Sequence, residues 1–127
     1  PGWINRPKIW TLLQRSSVGL LPYPATLDFN RSYPNKVGEY FSSGVPILSS
    51  VMGDMNNLIK SKQCGVTYAQ NNGKSLANLI CNLYDQPAQL SYLSFNAKSV
   101  FNTMFNSQIV YEDYCNYIEE ISKLKLY

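Results

Sequence analysis

Histidine is absent from these 127 residues. The commonest general base is therefore missing, and so are the Ser-His-Asp and Cys-His nucleophile arrangements. Charge is also scarce: Asp, Glu, Lys and Arg make up 15% of the chain, with a net charge of +3. The lysines and arginines are scattered, whereas a nucleic-acid face needs clustered cations. Lys60 with Lys62 and Lys123 with Lys125 read as solvated charges, so no nucleic-acid partner is expected. A weak attraction to phosphorylated ligands or to an anionic membrane surface is consistent with the charge. The three cysteines, Cys64, Cys81 and Cys115, lack metal-ligand spacing, and their odd number does not close a disulfide framework. They read as reduced, buried thiols of a cytosolic protein. No Asp-x-Asp pair calls for a divalent ion, so neither a metal nor a cofactor is expected. No apolar run approaches the roughly 20 residues of a membrane span, and no signal-peptide pattern is present.

What is present is a core. Apolar residues account for 45% of the chain, and ten tyrosines add bulk with a polar edge. That is the composition of one globular domain. Ile9, Leu12 and Leu13 recur at helical spacing after Pro7. Val18 to Leu21, closed by Pro22 and Pro24, reads as a short buried strand, and a polar loop is expected from Pro24 to Pro34. A helix starts near Asn35, with Val37, Tyr40 and Phe41 as its inner face and Gly44 ending it. Val45 to Leu48 reads as a second strand. Asp54 is a candidate N-cap for a helix buried through Met55, Leu58 and Ile59. Gly65 to Tyr68 reads as a third strand, leading into the turn Asn71-Asn72-Gly73. Leu76, Leu79, Ile80, Leu83 and Tyr84 mark the next helix. Pro87 opens another that carries Leu90, Leu93, Ala97, Val100, Phe101 and Met104. A final amphipathic helix holds Val110, Tyr114, Tyr117, Ile118 and Ile121.

Short buried strands alternating with helices predict an α/β fold, with a parallel sheet covered by helices on both faces. Three strands make a thin sheet, and the chain opens on Pro1-Gly2-Trp3. We therefore expect preceding sequence, including a fourth strand that leads into Gly2-Trp3. In such sheets ligands bind beyond the carboxyl ends of the strands. The segments 2–6, 22–36 and 49–54 qualify, and the second also feeds a helix N-terminus suited to phosphate. On that helix Lys36, Glu39 and Ser43 share a stripe beside the apolar face. Glu39 can accept two hydrogen bonds from vicinal hydroxyls such as those of a ribose. The plain alternative is an ordinary surface pair of Lys36 and Glu39.

A resemblance favours the first reading. Pro34-Asn35-Lys36-Val37-Gly38-Glu39-Tyr40, followed by Gly44-Val45-Pro46-Ile47-Leu48, resembles the P-x-K-x-x-E-Y-x-x-x-G-x-P-V-I signature. That signature belongs to the C-terminal lobe of retaining GT-B glycosyltransferases, particularly the family-four enzymes of bacterial capsule and lipopolysaccharide synthesis. Gly2-Trp3-Ile4 is similar to that family's G-W-V, and Val18 to Pro24 to its A-D-V-x-L-x-P strand. Ser50 to Ile59 is similar to its T-D-V-G-G-I-P-E-L-I segment, and Gly65-Val66 to its G-x-x-V strand. The departures are Arg31 in place of a second glutamate, Asp54 in place of the second glycine of the Gly-Gly pair, and Asn57 in place of the glutamate that follows.

The resemblance implies a partial Rossmann-like lobe, truncated at its N-terminus. Residues 1–127 would be a partial C-terminal nucleotide-sugar-binding domain, with 107–127 a closing helix. It implies that Glu39 grips the ribose hydroxyls and that Trp3 and Ile4 lie beside the base. Ser32, Asn35 and Lys36 would face the diphosphate and donor sugar. The implied partners are a nucleotide diphosphate sugar, a hydroxyl acceptor on a glycan or glycolipid, and an N-terminal lobe outside this chain. The implied location is cytoplasmic, at the inner face of the cytoplasmic membrane. Two other readings share parts of the pattern. A non-catalytic α/β interaction module would need an acidic cluster at its strand ends, and a GT-B-fold sugar-nucleotide epimerase matches the 34–48 motif less well.

Overall fold

Each strand contributes only three residues, so the architecture rests on what the helices bury against them. The computed structural model describes residues 4–24 and 26–124. Helix α1 (Arg6–Gln14) starts at Asn5, whose side chain accepts the Lys8 amide at 3.3 Å, and has Pro7 in its first turn. Strand β1 (Gly19–Leu21) follows, then the four-residue α2 (Leu27–Asn30), α3 (Asn35–Ser42) and β2 (Ile47–Ser49). Next come α4 (Asp54–Lys62), β3 (Gly65–Thr67), α5 (Gly73–Asp85) and α6 (Pro87–Val100). A π-helical turn (Phe101–Phe105) leads into α7 (Ser107–Leu124).

The sheet is parallel in the order β1-β2-β3. Its register sets Ile47 between Gly19 and Gly65, and Leu48 between Leu20 and Val66. Because successive side chains alternate between faces, Ile47 and Leu48 serve different cores. Ile47 and Leu21 join Val37 and Phe41 of α3, Met55 and Ile59 of α4, and Ala97 and Val100 of α6. Leu48 joins Leu83 of α5 and Leu93 of α6, with Leu76 and Leu79 packed alongside. The expected α/β sheet with helices on both faces is therefore present. Phe41 is fully buried at the centre of the larger core, a position where truncation to Ala costs about 3–5 kcal/mol.

Some expectations need correction. The 24–34 stretch is not all loop, because Leu27–Asn30 forms one helical turn. Asp54 is the first residue of α4 and not its cap; Gly53 stands at that position, at φ 70. The second and third strands sit a little differently from the expected 45–48 and 65–68, as 47–49 and 65–67. Of the three cysteines only Cys64 is buried; Cys81 and Cys115 are free and exposed. Leu20, Ile80, Tyr84 and Met104 are exposed too, since a helical or strand period marks an apolar face but not whether another element covers it.

The helix opened by Pro87 changes character at Phe101. The hydroxyl of Thr103 donates to the Ser99 carbonyl at 3.0 Å, in competition with the regular backbone ladder. The π turn carries Phe105 edge-on to Phe41 and to Tyr33, with centroids 5.9 and 5.8 Å apart. Helix α7 packs on this turn and has no buried residue along its 18 positions. Tyr111, Tyr114, Tyr117 and Ile118 are exposed on it.

Candidate functional site

Helix α3 is fastened at its end and open at its start. Its N-cap is Pro34, which makes no side-chain capping bond, so the first backbone N–H groups of the helix have no side-chain acceptor. At the other end Gly44, at φ 70, turns the chain out of the helix. The amides of Ser43 and Val45 both donate to the Tyr40 carbonyl, at 3.1 and 2.9 Å. Helix α6 then fastens this terminus. Ser94 Oγ donates to the Gly44 carbonyl and Lys98 Nζ to the Ser42 carbonyl. Lys98 also lies 5.5 Å from the centroid of the Phe101 ring, and a cation at a helix C-terminus is favoured by the helix dipole.

With Val37 and Phe41 buried, the opposite side of α3 faces α1. Between the two helices lies a cleft of about 750 Å³, lined by Ile4, Ile9, Leu12, Leu13 and Ser16 and by Lys36, Glu39 and Tyr40. Glu39 also borders an adjoining hollow with Arg6, Trp10 and Ser42. It therefore stands at the divide between the two. One wall is aliphatic, and the other offers a carboxylate, an ammonium and a phenol. The Tyr40 ring packs flat over Gly19 of β1, so closely that a Cβ at that position would come within 2.5 Å of it. Burial pushes the Tyr40 phenol above its ordinary pKa, while the positive charge of Lys36 opposes that shift. Tyr40 consequently stays a neutral hydrogen-bonding group beside the carboxylate.

Three of the residues expected to hold a ligand, Ile4, Lys36 and Glu39, are thus brought to one cleft. Asn35, the first residue of α3, and Ser32, in the loop before it, are exposed and do not line that cleft. Trp3 lies outside the described residues. Sequence reasoning assigned Tyr40, Ile9 and Leu12 to helix packing alone and missed them as cleft walls. Among the described residues no group of three or more Cys, Asp or Glu side chains is placed to hold a metal ion. None of the described helices is long and apolar enough to cross a membrane.

Residues 1–86 match the family model described as glycosyl transferases group 1. The chain belongs to that family. The α3 motif, the three strands and the cleft all fall within the matched residues or are completed by them. A solved structure with a similar fold is sucrose-phosphate synthase from Thermosynechococcus elongatus. It aligns with a TM-score of 0.81 at 16% identity, over 98% of this chain and 30% of that one. At that identity the match shows the fold alone, a piece of the GT-B glycosyltransferase architecture. This glycosyl transferases group 1 chain therefore spans less than a third of the length of that structure. No curated protein matches its sequence.

Proposed function

We propose that residues 1–127 are part of the donor-binding, C-terminal half of a retaining glycosyltransferase, with 107–127 as its closing helix, and that the α1–α3 cleft takes the nucleotide of a sugar donor. The observation that carries this reading is the convergence of Ile4, Lys36 and Glu39 on one cleft. An aliphatic wall of Ile4, Ile9 and Leu12 suits the face of a base. Glu39 opposite suits the two ribose hydroxyls, each donating one hydrogen bond to the carboxylate. The start of α3 lacks a side-chain cap and carries Lys36 in its first turn, which suits a diphosphate.

In the reaction the bond from the anomeric carbon to the diphosphate oxygen breaks, and a bond from that carbon to an acceptor hydroxyl oxygen forms. The diphosphate departs with the electron pair, and its leaving oxygen takes up the proton that the acceptor hydroxyl loses. Backbone N–H groups and a lysine aimed at that growing negative charge lower the barrier electrostatically. Acceptor contacts come from a second lobe outside this chain, since chemistry in a two-lobed cleft needs both walls for positioning. A hydroxyl on a glycan or glycolipid of surface polysaccharide synthesis, met at the cytoplasmic membrane face, is the acceptor this reading assigns.

The test is calorimetric titration of the full-length protein with UDP, GDP and ADP, followed by NMR of the product anomer. Binding of one nucleotide and retention of anomeric configuration are expected. Failure of all three nucleotides to bind would overturn the assignment of the cleft. The 127-residue chain by itself is expected to show no transfer.

A further inference from the structure

A second hollow, of about 450 Å³, shares no lining residue with the α1–α3 cleft. Its position follows from the sheet. Pro22, Ser50 and Tyr68 line it, and each is the residue immediately after β1, β2 and β3. It therefore lies at the carboxyl ends of all three strands, where open α/β sheets place their ligands. Its volume is within the roughly 300–1,000 Å³ usual for small-molecule sites.

Its chemistry differs sharply from that of the first cleft. No Asp, Glu, Lys or Arg lines it, so it offers nothing to balance a diphosphate or a metal ion. Instead Tyr23 and Tyr68 supply aromatic surface, and Gln70, Asn71 and Asn72 supply three primary amides. The walls are set by internal contacts. Tyr23 stacks on Phe29 with centroids 4.6 Å apart, and its carbonyl accepts the Ser50 hydroxyl at 3.2 Å. The Tyr68 amide donates to Ser49 at 3.0 Å, which carries the sheet ladder to the rim. Asn72 commits its Oδ1 to the Ser75 amide at 2.9 Å, so Nδ2 is the end it can offer a ligand. Asn71 adopts φ 55, a left-handed conformation that Asn tolerates better than most residues.

Primary amides pair a donor with an acceptor and so match vicinal hydroxyls, while aromatic faces and proline rings match the apolar C–H face of a pyranose. We propose that this hollow is a binding subsite for an uncharged saccharide, separate from the nucleotide cleft. That the saccharide is a sugar ring of a substrate rests on the transferase reading; the binding of a neutral saccharide does not.

The experiment is saturation-transfer NMR on the full-length protein with methyl α-glucopyranoside, methyl β-galactopyranoside and maltose. Each is used at about 10 mM, above the millimolar Kd expected of a few neutral hydrogen bonds. At least one should receive saturation. Gln70→Ala, and Asn72→Asp, which keeps the α5 cap while removing the Nδ2 donor, should each weaken it about fivefold or more and leave nucleotide affinity unchanged. Glu39→Ala should do the opposite. No transfer to any of the three probes overturns the subsite. So does transfer that both amide variants leave intact, or loss of saccharide binding in Glu39→Ala. Saccharide binding that persists where no nucleotide binds would remove the transferase reading and leave the subsite standing.

Discussion

A single methyl group at Gly19 tests how β1 sets the geometry of the α1–α3 cleft. In Gly19→Ala the new Cβ would lie 2.5, 2.7 and 2.8 Å from Cδ2, Cε2 and Cγ of Tyr40. Ordinary carbon contacts are about 3.5–4.0 Å, so the ring must retreat by roughly 1 Å. Spinning the ring about its own axis does not suffice, because Cγ lies on that axis and is itself too close. Either the ring swings into the cleft or α3 tilts away from β1, and both displace Glu39, its neighbour on the helix. Overpacking of this kind costs about 1–3 kcal/mol. Hydrogen exchange in the full-length protein reads it locally at the Ile47 amide, which donates to Cys64 across the β2–β3 ladder, as a lower free energy of opening. Nucleotide affinity should fall in parallel, tenfold for every 1.4 kcal/mol the displacement removes. In a Tyr40→Ala background the ring and its Cγ are gone, and the same glycine substitution should cost under about 0.5 kcal/mol. An unchanged opening free energy in Gly19→Ala, or an equal cost in both backgrounds, would refute the argument.

On the proposed assignment, removing the Glu39 carboxylate deletes two charge-assisted hydrogen bonds to ribose of about 1.5–3 kcal/mol each, reduced by its exposure to a net of roughly 2–4 kcal/mol. Calorimetry should show Glu39→Ala binding nucleotide about 30- to 1000-fold more weakly, with little further loss for a 2′-deoxy nucleotide; equal affinity in native and variant proteins counts against the assignment. Burial raises the Cys64 thiol from 9.0 to about 11, so at pH 8 iodoacetamide should label the exposed Cys81 and Cys115 and spare Cys64, as read by mass spectrometry. Because the folded pKa is the higher one, the stability this thiol contributes is complete below pH 9 and lost as pH rises from there through about 11. Expressed alone, the chain should self-associate through Tyr114, Tyr117 and Ile118, which are 60%, 59% and 47% exposed; sedimentation should show Tyr114→Ser with Ile118→Ser restoring the monomer.

How far the sequence could be read depended on whether a feature was local. Helix α3 was legible because Val37 and Phe41 mark its buried face, Gly44 its end and the Pro34–Leu48 motif its company. Helix α2 was not, since Leu27–Asn30 is one turn and a single turn has no period to detect. The exposure of Tyr84, Met104, Cys81 and Cys115 was hidden for a different reason: burial is decided by the neighbour across the gap and not by the element itself. The candidate site divides in the same way. Ile4, Lys36 and Glu39 stand in recognisable local patterns. The place of Tyr40 in the cleft depends on Gly19, 21 positions earlier in the chain, and no short-range signal reports that contact. The hollow at the strand ends collects residues from the three separate segments that follow β1, β2 and β3, so only the assembled sheet reveals it.

The alternation of Ile47 and Leu48 divides the protein's tolerance of mutation into two accounts. Residues of α5 answer to Leu48 and its small cluster, and residues of α3 and α4 answer to Ile47 and the larger one. Substitutions on one face can drift without compensation on the other, provided the strand register holds, since a slip of one residue would exchange the two side chains. Helix α6 is the exception, because Leu93 belongs to one cluster and Ala97 and Val100 to the other. Sequence change in α6 must satisfy both faces at once, which makes it the slowest-drifting helix expected of this chain, although it lines neither the α1–α3 cleft nor the hollow at the strand ends.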